Sequence, residues 1–217
     1  LRAKLLGIIA TVSILLVACA NEPTTEEDMF EHMEESVRLE QDFVAQQQPL
    51  TELEAEEQAI YEEISELGMD EYETINELAD QAIASIEERQ SLTEIERTSI
   101  EAAKEEFDRI EPLIAELEDE TLQAQAREMF DAMEERYQAF LSLNDAYRTS
   151  LDYDQELYQL LKQEDLDEEQ FTEQIDIVNS QYQEVIEANQ LFNEKTDEFN
   201  SLKRAFYDAS DLNVTYE

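Results

Sequence analysis

Glycine occurs twice, proline three times and tryptophan not at all among the 217 residues. A chain this poor in turn residues and this rich in Glu, Gln, Ala and Leu is neither a β-protein nor an α/β enzyme. The Gly-rich loops that cradle phosphates are absent with the glycines. A single cysteine, Cys19, leaves no partner for an internal disulfide and points to chemical modification instead. A single histidine, His32, stands beside Met33 near the start of the first helical pattern and reads as a surface residue. No Ser/His/Asp set assembles around it. Cations are scarce as well: 14 Lys and Arg face 57 Asp and Glu, for a formal charge of −43. Phosphate backbones need Lys and Arg clusters, so nucleic acid is excluded as a partner, and wall phosphates would be repelled too. The acid excess opposes compaction by self-repulsion and favours solubility. It reads as adaptation to a salty or alkaline medium rather than as a specific binding device.

What is present begins with the first twenty residues. Arg2 and Lys4 precede an uncharged apolar run, Leu5 to Val17. That run has the length of a signal-peptide core and falls short of the roughly 20 residues a membrane-spanning helix needs. It ends in Leu16-Val17-Ala18-Cys19, which resembles the lipobox of bacterial lipoproteins. The resemblance implies that Leu16, Val17 and Ala18 form the signal-peptidase recognition site. It also implies that residues 1–18 are removed and that Cys19 carries a diacylglyceryl group, the only cofactor-like group expected. Two acyl chains hold a protein on a bilayer where one holds marginally. Loss of Arg2 and Lys4 would make the mature chain more acidic still.

The remainder reads as helix. Phe171, Ile175, Val178, Tyr182, Val185, Asn189, Phe192, Thr196 and Phe199 alternate steps of four and three, the signature of a heptad seam. Leu122, Ala126, Met129, Met133, Arg136, Phe140, Leu143, Tyr147, Ser150, Asp154, Leu157 and Leu161 do the same. Each seam predicts a helix of about 40 residues, about 60 Å long at 1.5 Å per residue. Upstream, Ile75, Leu78, Ala82 and Ile86 form one seam and Ile100, Ala103, Phe107, Ile110, Ile114 and Leu117 another. Ser91-Leu92-Thr93-Glu94 between them matches a capping box, so either a break or a continuous helix with a phase shift is open there. The first segment runs from Phe30 to Leu67 with Pro49 inside it, where a kink is expected; Pro112 should bend the end of the second. Turns fall at Gly68-Met69-Asp70, near Asp119, and at Asp165 to Asp167. In the first, glycine suits a helix C-cap and Asp70 an N-cap. Short connections make neighbouring helices antiparallel.

The expected fold is therefore all-α: an elongated antiparallel up-down bundle or coiled coil of four long helices, the first kinked near Pro49. The expected organisation is a signal peptide at 1–18, the lipidated cysteine and a tether at 19–27, a helical domain at 28–210 and a tail at 211–217. In that arrangement Asp28 and Asp208 lie close together.

The chain resembles the YkyA-like family of cell-wall-binding lipoproteins of Gram-positive bacteria. The resemblance rests on the lipobox, on residues 151–162 (LDYDQELYQLLK) and on residues 206–214 (FYDASDLNV), and covers essentially the whole sequence. It implies a non-enzymatic protein, lipid-anchored at the outer face of the cytoplasmic membrane. Its expected partners are the membrane through the anchor and a cell-wall component or envelope protein. A scaffold or binding role is the first reading; an extracytoplasmic chaperone or regulator that clamps unfolded or basic polypeptides is the alternative. No catalytic residues and no metal ligands are assigned. Asp152-Tyr153-Asp154 and Asp165 to Glu169 lack EF-hand spacing. The tyrosines and phenylalanines of the last two helices read as core, with an exposed aromatic groove as the other reading.

Overall fold

The computed structural model describes residues 23–210 and Leu212. Among them there is no strand. The elements are α1 (Thr25–Leu39), α2 (Gln41–Glu66), a 3-10 turn (Met69–Glu71), α3 (Tyr72–Phe107), α4 (Ile110–Ile114), α5 (Glu120–Leu161) and α6 (Glu168–Ala209). With α1–α2 and α3–α4 each forming an interrupted rod, these are the four long helices that the seams predict. The last two have 42 residues each. Residues 1–22, with Leu16, Val17, Ala18 and Cys19, lie outside the described residues.

Side-chain caps set the helix starts. The Thr24 hydroxyl accepts the Glu27 N–H at 3.3 Å, and the Glu27 carboxylate accepts the Thr24 N–H at 2.9 Å. This reciprocal box satisfies two donors of the first turn, so α1 begins at Thr25, within the stretch expected as tether. Asp119 caps α5 by accepting from Thr121 and Leu122 at 2.7 and 3.0 Å. Those backbone donors hold its carboxyl below the usual range. Asp167 caps α6 through Glu169 and Gln170 at 3.0 and 3.2 Å. Gly68 is different from expectation. Its backbone is extended (φ −94°, ψ 163°), and among the described residues none has a positive φ, so it is no left-handed cap. A Cβ there would stand 2.6 Å from Asp70 Oδ1, and that close approach is what glycine permits.

The first rod is interrupted at Glu40, and α2 carries Pro49 in its interior. Pro49 withholds one backbone donor. The interruption nine residues earlier has another cause. The Ser99 hydroxyl of α3 donates to Leu39 O at 2.6 Å and accepts the Phe43 N–H at 3.1 Å. It sits where the direct Phe43-to-Leu39 helical bond would run, and a side chain inserted into that ladder is a known cause of helix bending. The second rod breaks at Asp108–Arg109, just ahead of Pro112. By contrast α3 runs unbroken through Ser91–Glu94. The two hydroxyls bond back to their own helix, Ser91 to Glu87 O and Thr93 to Gln90 O, instead of capping a new one.

The segment expected as one helical domain divides into two compact units. The first comprises the described residues up to Val44, Thr98–Phe140 and those from Gln190 onward; the second comprises Ala45–Arg97 and Leu141–Asn189. In the first unit, Ser36 of α1 bonds Ala103 O of α3. Phe107 meets Phe130 of α5, Phe140 meets Phe192 of α6, and Tyr207 of α6 meets Phe30 of α1, which closes an antiparallel four-helix circuit. Its core centres on Met29, Met33, Phe107, Met129, Phe199 and Phe206. Phe43, Phe140 and Phe192 pack edge-on with centroids 5.7–6.1 Å apart. Phe30 against Tyr207 places the start of α1 beside the end of α6.

In the second unit, Leu53 of α2 bonds Ser85 of α3, Gln90 bonds Asp152 of α5, and Tyr153 O accepts from Gln174 of α6. The directions again alternate. Its apolar core is Ile64, Ile75, Ala82, Ile86, Leu151 and Tyr158 with their neighbours. The turns at Gly68 and at Asp165–Asp167 share one end of this unit. There the Tyr72 hydroxyl donates to Lys162 O at 2.7 Å, and Leu67, Leu166 and Phe171 pack on the core.

Candidate functional site

A helical unit normally closes on an apolar interior. The second unit adds buried charges to its apolar core. Arg89 of α3 is 3 % exposed and is engaged by Glu57 of α2, also buried. Asp154 of α5 is 1 % exposed and accepts the Tyr182 hydroxyl of α6 at 2.7 Å. Tyr158 stands beside Asp154, Arg89 and Tyr61, and the Tyr147 hydroxyl donates to Glu54 at 2.7 Å. One turn pair away on the α2–α3 seam, Gln47 donates to the buried Glu96 carboxylate. Each helix of the unit thus sends a polar or charged group inward. Among the described residues of this unit three atoms are left over: Asn76 Oδ1, Arg89 Nε and Asp154 Oδ2 are buried without a hydrogen-bond partner.

The electrostatics follow from a count of signs. The buried acids of this unit are Glu57, Glu96 and Asp154, and its buried cation is Arg89. Burial penalises the ionised carboxyl most, so Asp154 is pushed up to about 6 despite help from Tyr182 and Arg89. Glu96 is pushed up to about 8 by burial and by the Glu54 charge, against the Gln47 hydrogen bond. Burial pushes the Tyr147, Tyr158 and Tyr182 hydroxyls upward as well, so they remain donors. The first unit solves the same problem differently. Arg136 forks onto Glu40 at 2.6 and 2.8 Å and bonds Thr196 at 3.2 Å. Its guanidinium lies 5.4 and 5.9 Å from the Phe192 and Phe199 ring centres. Lys203 reaches Glu34 at 3.2 Å, and Tyr207 donates to the same carboxylate. The first unit's buried charges are matched; the second holds more acid than base. Burial therefore holds Asp154 and Glu96 toward the protonated form.

Comparison with known proteins places this architecture. The model of a family described as "Putative cell-wall binding lipoprotein" (YkyA) matches residues 24–209. The chain belongs to this family. It is 26 % identical over 209 residues to the uncharacterized lipoprotein YkyA of Bacillus subtilis (strain 168), covering 96 % of this chain and 93 % of that one. A solved structure of a conserved protein of unknown function from Staphylococcus aureus superposes with a TM-score of 0.73 at 13 % identity, over 86 % of this chain and 97 % of that one. At that identity the likeness shows the fold alone.

The YkyA-family match covers the described helices, so Leu16, Val17 and Ala18, expected as the signal-peptidase recognition site, and Cys19, expected as the lipidation site, lie ahead of it. His32, expected on the surface, is part-buried and meets Glu106 at 2.7 Å. Asp152 and Asp154 diverge: the first accepts from Gln90 on an exposed face and the second is sealed against Tyr182. Among the described residues no group of three or more His, Cys, Asp or Glu is placed to hold a metal ion, and no helix is long and apolar enough to cross a membrane. The aromatics divide. Tyr158 and Tyr207 are core, while Tyr182 stays 39 % exposed with only its hydroxyl tied inward. Sequence reasoning placed Arg136, Ser150 and Asp154 on the α5 seam without seeing their partners. It missed Arg89, Glu57, Glu96 and Ser99 entirely. Arg89 falls three residues after Ile86 and Glu57 three before Ile60, so the phase of the apolar pattern was the signal that could have found both.

Proposed function

We propose that this YkyA-family chain is a non-enzymatic protein of the Gram-positive envelope, anchored by lipid at Cys19 to the outer face of the cytoplasmic membrane, with a scaffolding or binding role at the wall. The observation that carries this reading is the lipobox Leu16-Val17-Ala18-Cys19, five residues ahead of a helical region that matches a lipoprotein family. Those five residues reach about 18 Å at full extension. They would hold the start of α1 close to the bilayer, and the end of α6, beside Phe30, with it. That end of the first unit carries Glu26, Glu27, Asp28, Asp119 and Glu120. Anionic headgroups would repel it, so the two acyl chains would have to supply the holding energy, at about 0.8 kcal/mol per buried methylene.

Membrane fractionation of a Cys19→Ala variant tests the anchor. Release to the medium or retention of the leader is expected; a processed Cys19→Ala product that stays on membranes defeats it. Crosslinking of the lipidated protein in whole cells tests the role. Recovery of wall material or an envelope protein supports scaffolding, and recovery of unfolded basic polypeptides favours the chaperone alternative.

A further inference from the structure

Helix α6 is attached to its two units by different chemistry. Its second half gives the first unit Phe192, Phe199, Phe206 and Tyr207, all buried. Its first half gives the second unit Val178, Gln174 and Gln181 as buried residues, with Phe171 partly covered. The main apolar cluster of that unit is built from α2, α3 and α5, with Phe171 of α6 at its edge and Val178 the buried aliphatic side chain that the first half adds. Beyond these the first half is held by side-chain hydrogen bonds to α5. Gln174 Nε2 donates to Tyr153 O at 2.9 Å, Gln181 Nε2 to Ala146 O at 3.1 Å, and Tyr182 to Asp154 Oδ1 at 2.7 Å. Water can replace each of these, so their net worth is modest. The outer side of the same half exposes Ile177 and Ile186 at 43 % and 47 %.

We propose that the first half of α6, residues 168–189, is a detachable arm of the second unit, held on α5 while Asp154 is protonated and released when Asp154 ionises. The groups around Asp154 explain the direction. Tyr182 of α6 donates to one oxygen, while the other, Oδ2, is buried without a partner. Arg89 of α3 attracts the carboxylate but is already engaged by Glu57 of α2. Tyr158 on the next turn of α5 adds no positive charge, and Tyr61 and Glu54 of α2 lie beyond Tyr158 and Tyr147. An ionised Asp154 is therefore under-compensated while covered, and lifting α6 is the movement that hydrates it. The covered carboxyl holds its proton up to about pH 6, above the ordinary aspartate value of 3.8. The closed state thus binds more protons than the open one across that interval, and rising pH favours opening.

Hydrogen exchange on the full chain, with protection factors corrected for the intrinsic rate at each pH, tests this. Protection of residues 172–189 should fall about tenfold between pH 5 and pH 8, from the linkage between an open-state value near 3.8 and a closed-state value near 6. Residues 194–207 should show no such fall. Asp154→Asn, which keeps the shape and cannot ionise, should abolish the fall, whereas Glu96→Gln should leave it in place. Tyr182→Phe should lower protection of 172–189 at both pH values. If Asp154→Asn does not fold, the wild-type contrast between the two halves and the Tyr182→Phe result decide. Equal pH responses of the two halves, an undiminished fall in Asp154→Asn, or a Tyr182→Phe variant exchanging like wild type would overturn the proposal.

Discussion

The shortage of cations has a visible consequence for single residues: interior carboxylates take whatever donors the chain has. Asp154 and the partly buried Glu34 each accept a tyrosine hydroxyl, and Glu96 a glutamine amide. Among the described buried carboxylates, Glu40 is the one that receives a full two-pronged arginine. Removing that arginine strands a buried charge, so Arg136→Met should cost about 3–5 kcal/mol in urea unfolding, and pairing it with Glu40→Leu should recover most of the loss. Glu96 makes a prediction of opposite sign. Its folded value, about 8, lies above its unfolded value of 4.5. The folded state then keeps a proton that the unfolded state gives up. Stability is greatest near or below pH 4.5, declines as pH rises toward 8 and levels beyond it. Glu96→Gln should flatten this decline and raise the melting temperature at pH 8, with little change at pH 4. An unaltered pH profile in that variant would contradict the assignment.

At the scale of elements, caps and interruptions respond to different causes. The caps at Thr24, Asp119 and Asp167 are local in sequence and each immediately precedes its helix. The interruption at Glu40 is not local, since its serine comes from α3, 60 residues beyond Leu39. Ser99→Ala should leave the Phe43 N–H and the Leu39 carbonyl unpaired in a buried setting, at a cost of about 1–3 kcal/mol. If α1 and α2 instead fuse into one helix and close that bond, the loss will be near zero, so chemical denaturation separates a required bridge from a dispensable one.

For the molecule as a whole, the net charge of −43 is the dominant long-range term. Repulsion among exposed carboxylates opposes the folded state in dilute buffer. Molar salt shrinks the Debye length to about 3 Å and relieves it. The melting temperature should therefore rise between low and molar sodium chloride. It should also rise as pH falls from 8 toward 5, since surface repulsion, Glu96 and Asp154 all act in the same direction there. A melting temperature that is flat or drops with salt would mean that surface ion pairs such as Arg97–Asp145 outweigh the repulsion.

Sequence alone determined the helical class, the four long rods, their turns and the heptad seams. Each depends on neighbours three or four residues apart or on a cap beside its helix, so a linear reading contains the relevant distances. It also located a candidate anchor, because a signal segment is read as an extended string before any fold exists. Tertiary structure decided what a periodic pattern cannot encode. Pro49 looked like the obvious breaker, yet the first rod is interrupted where Ser99 reaches in from another helix. The α5 seam included Arg136 and Asp154 alike, one at each of its two alternating heptad positions. Only packing gave the first a matched carboxylate and the second an uncompensated burial. Burial and pairing arise between helices distant in the chain, and they turn one interior acid into a structural pair and another into a group that responds to protons.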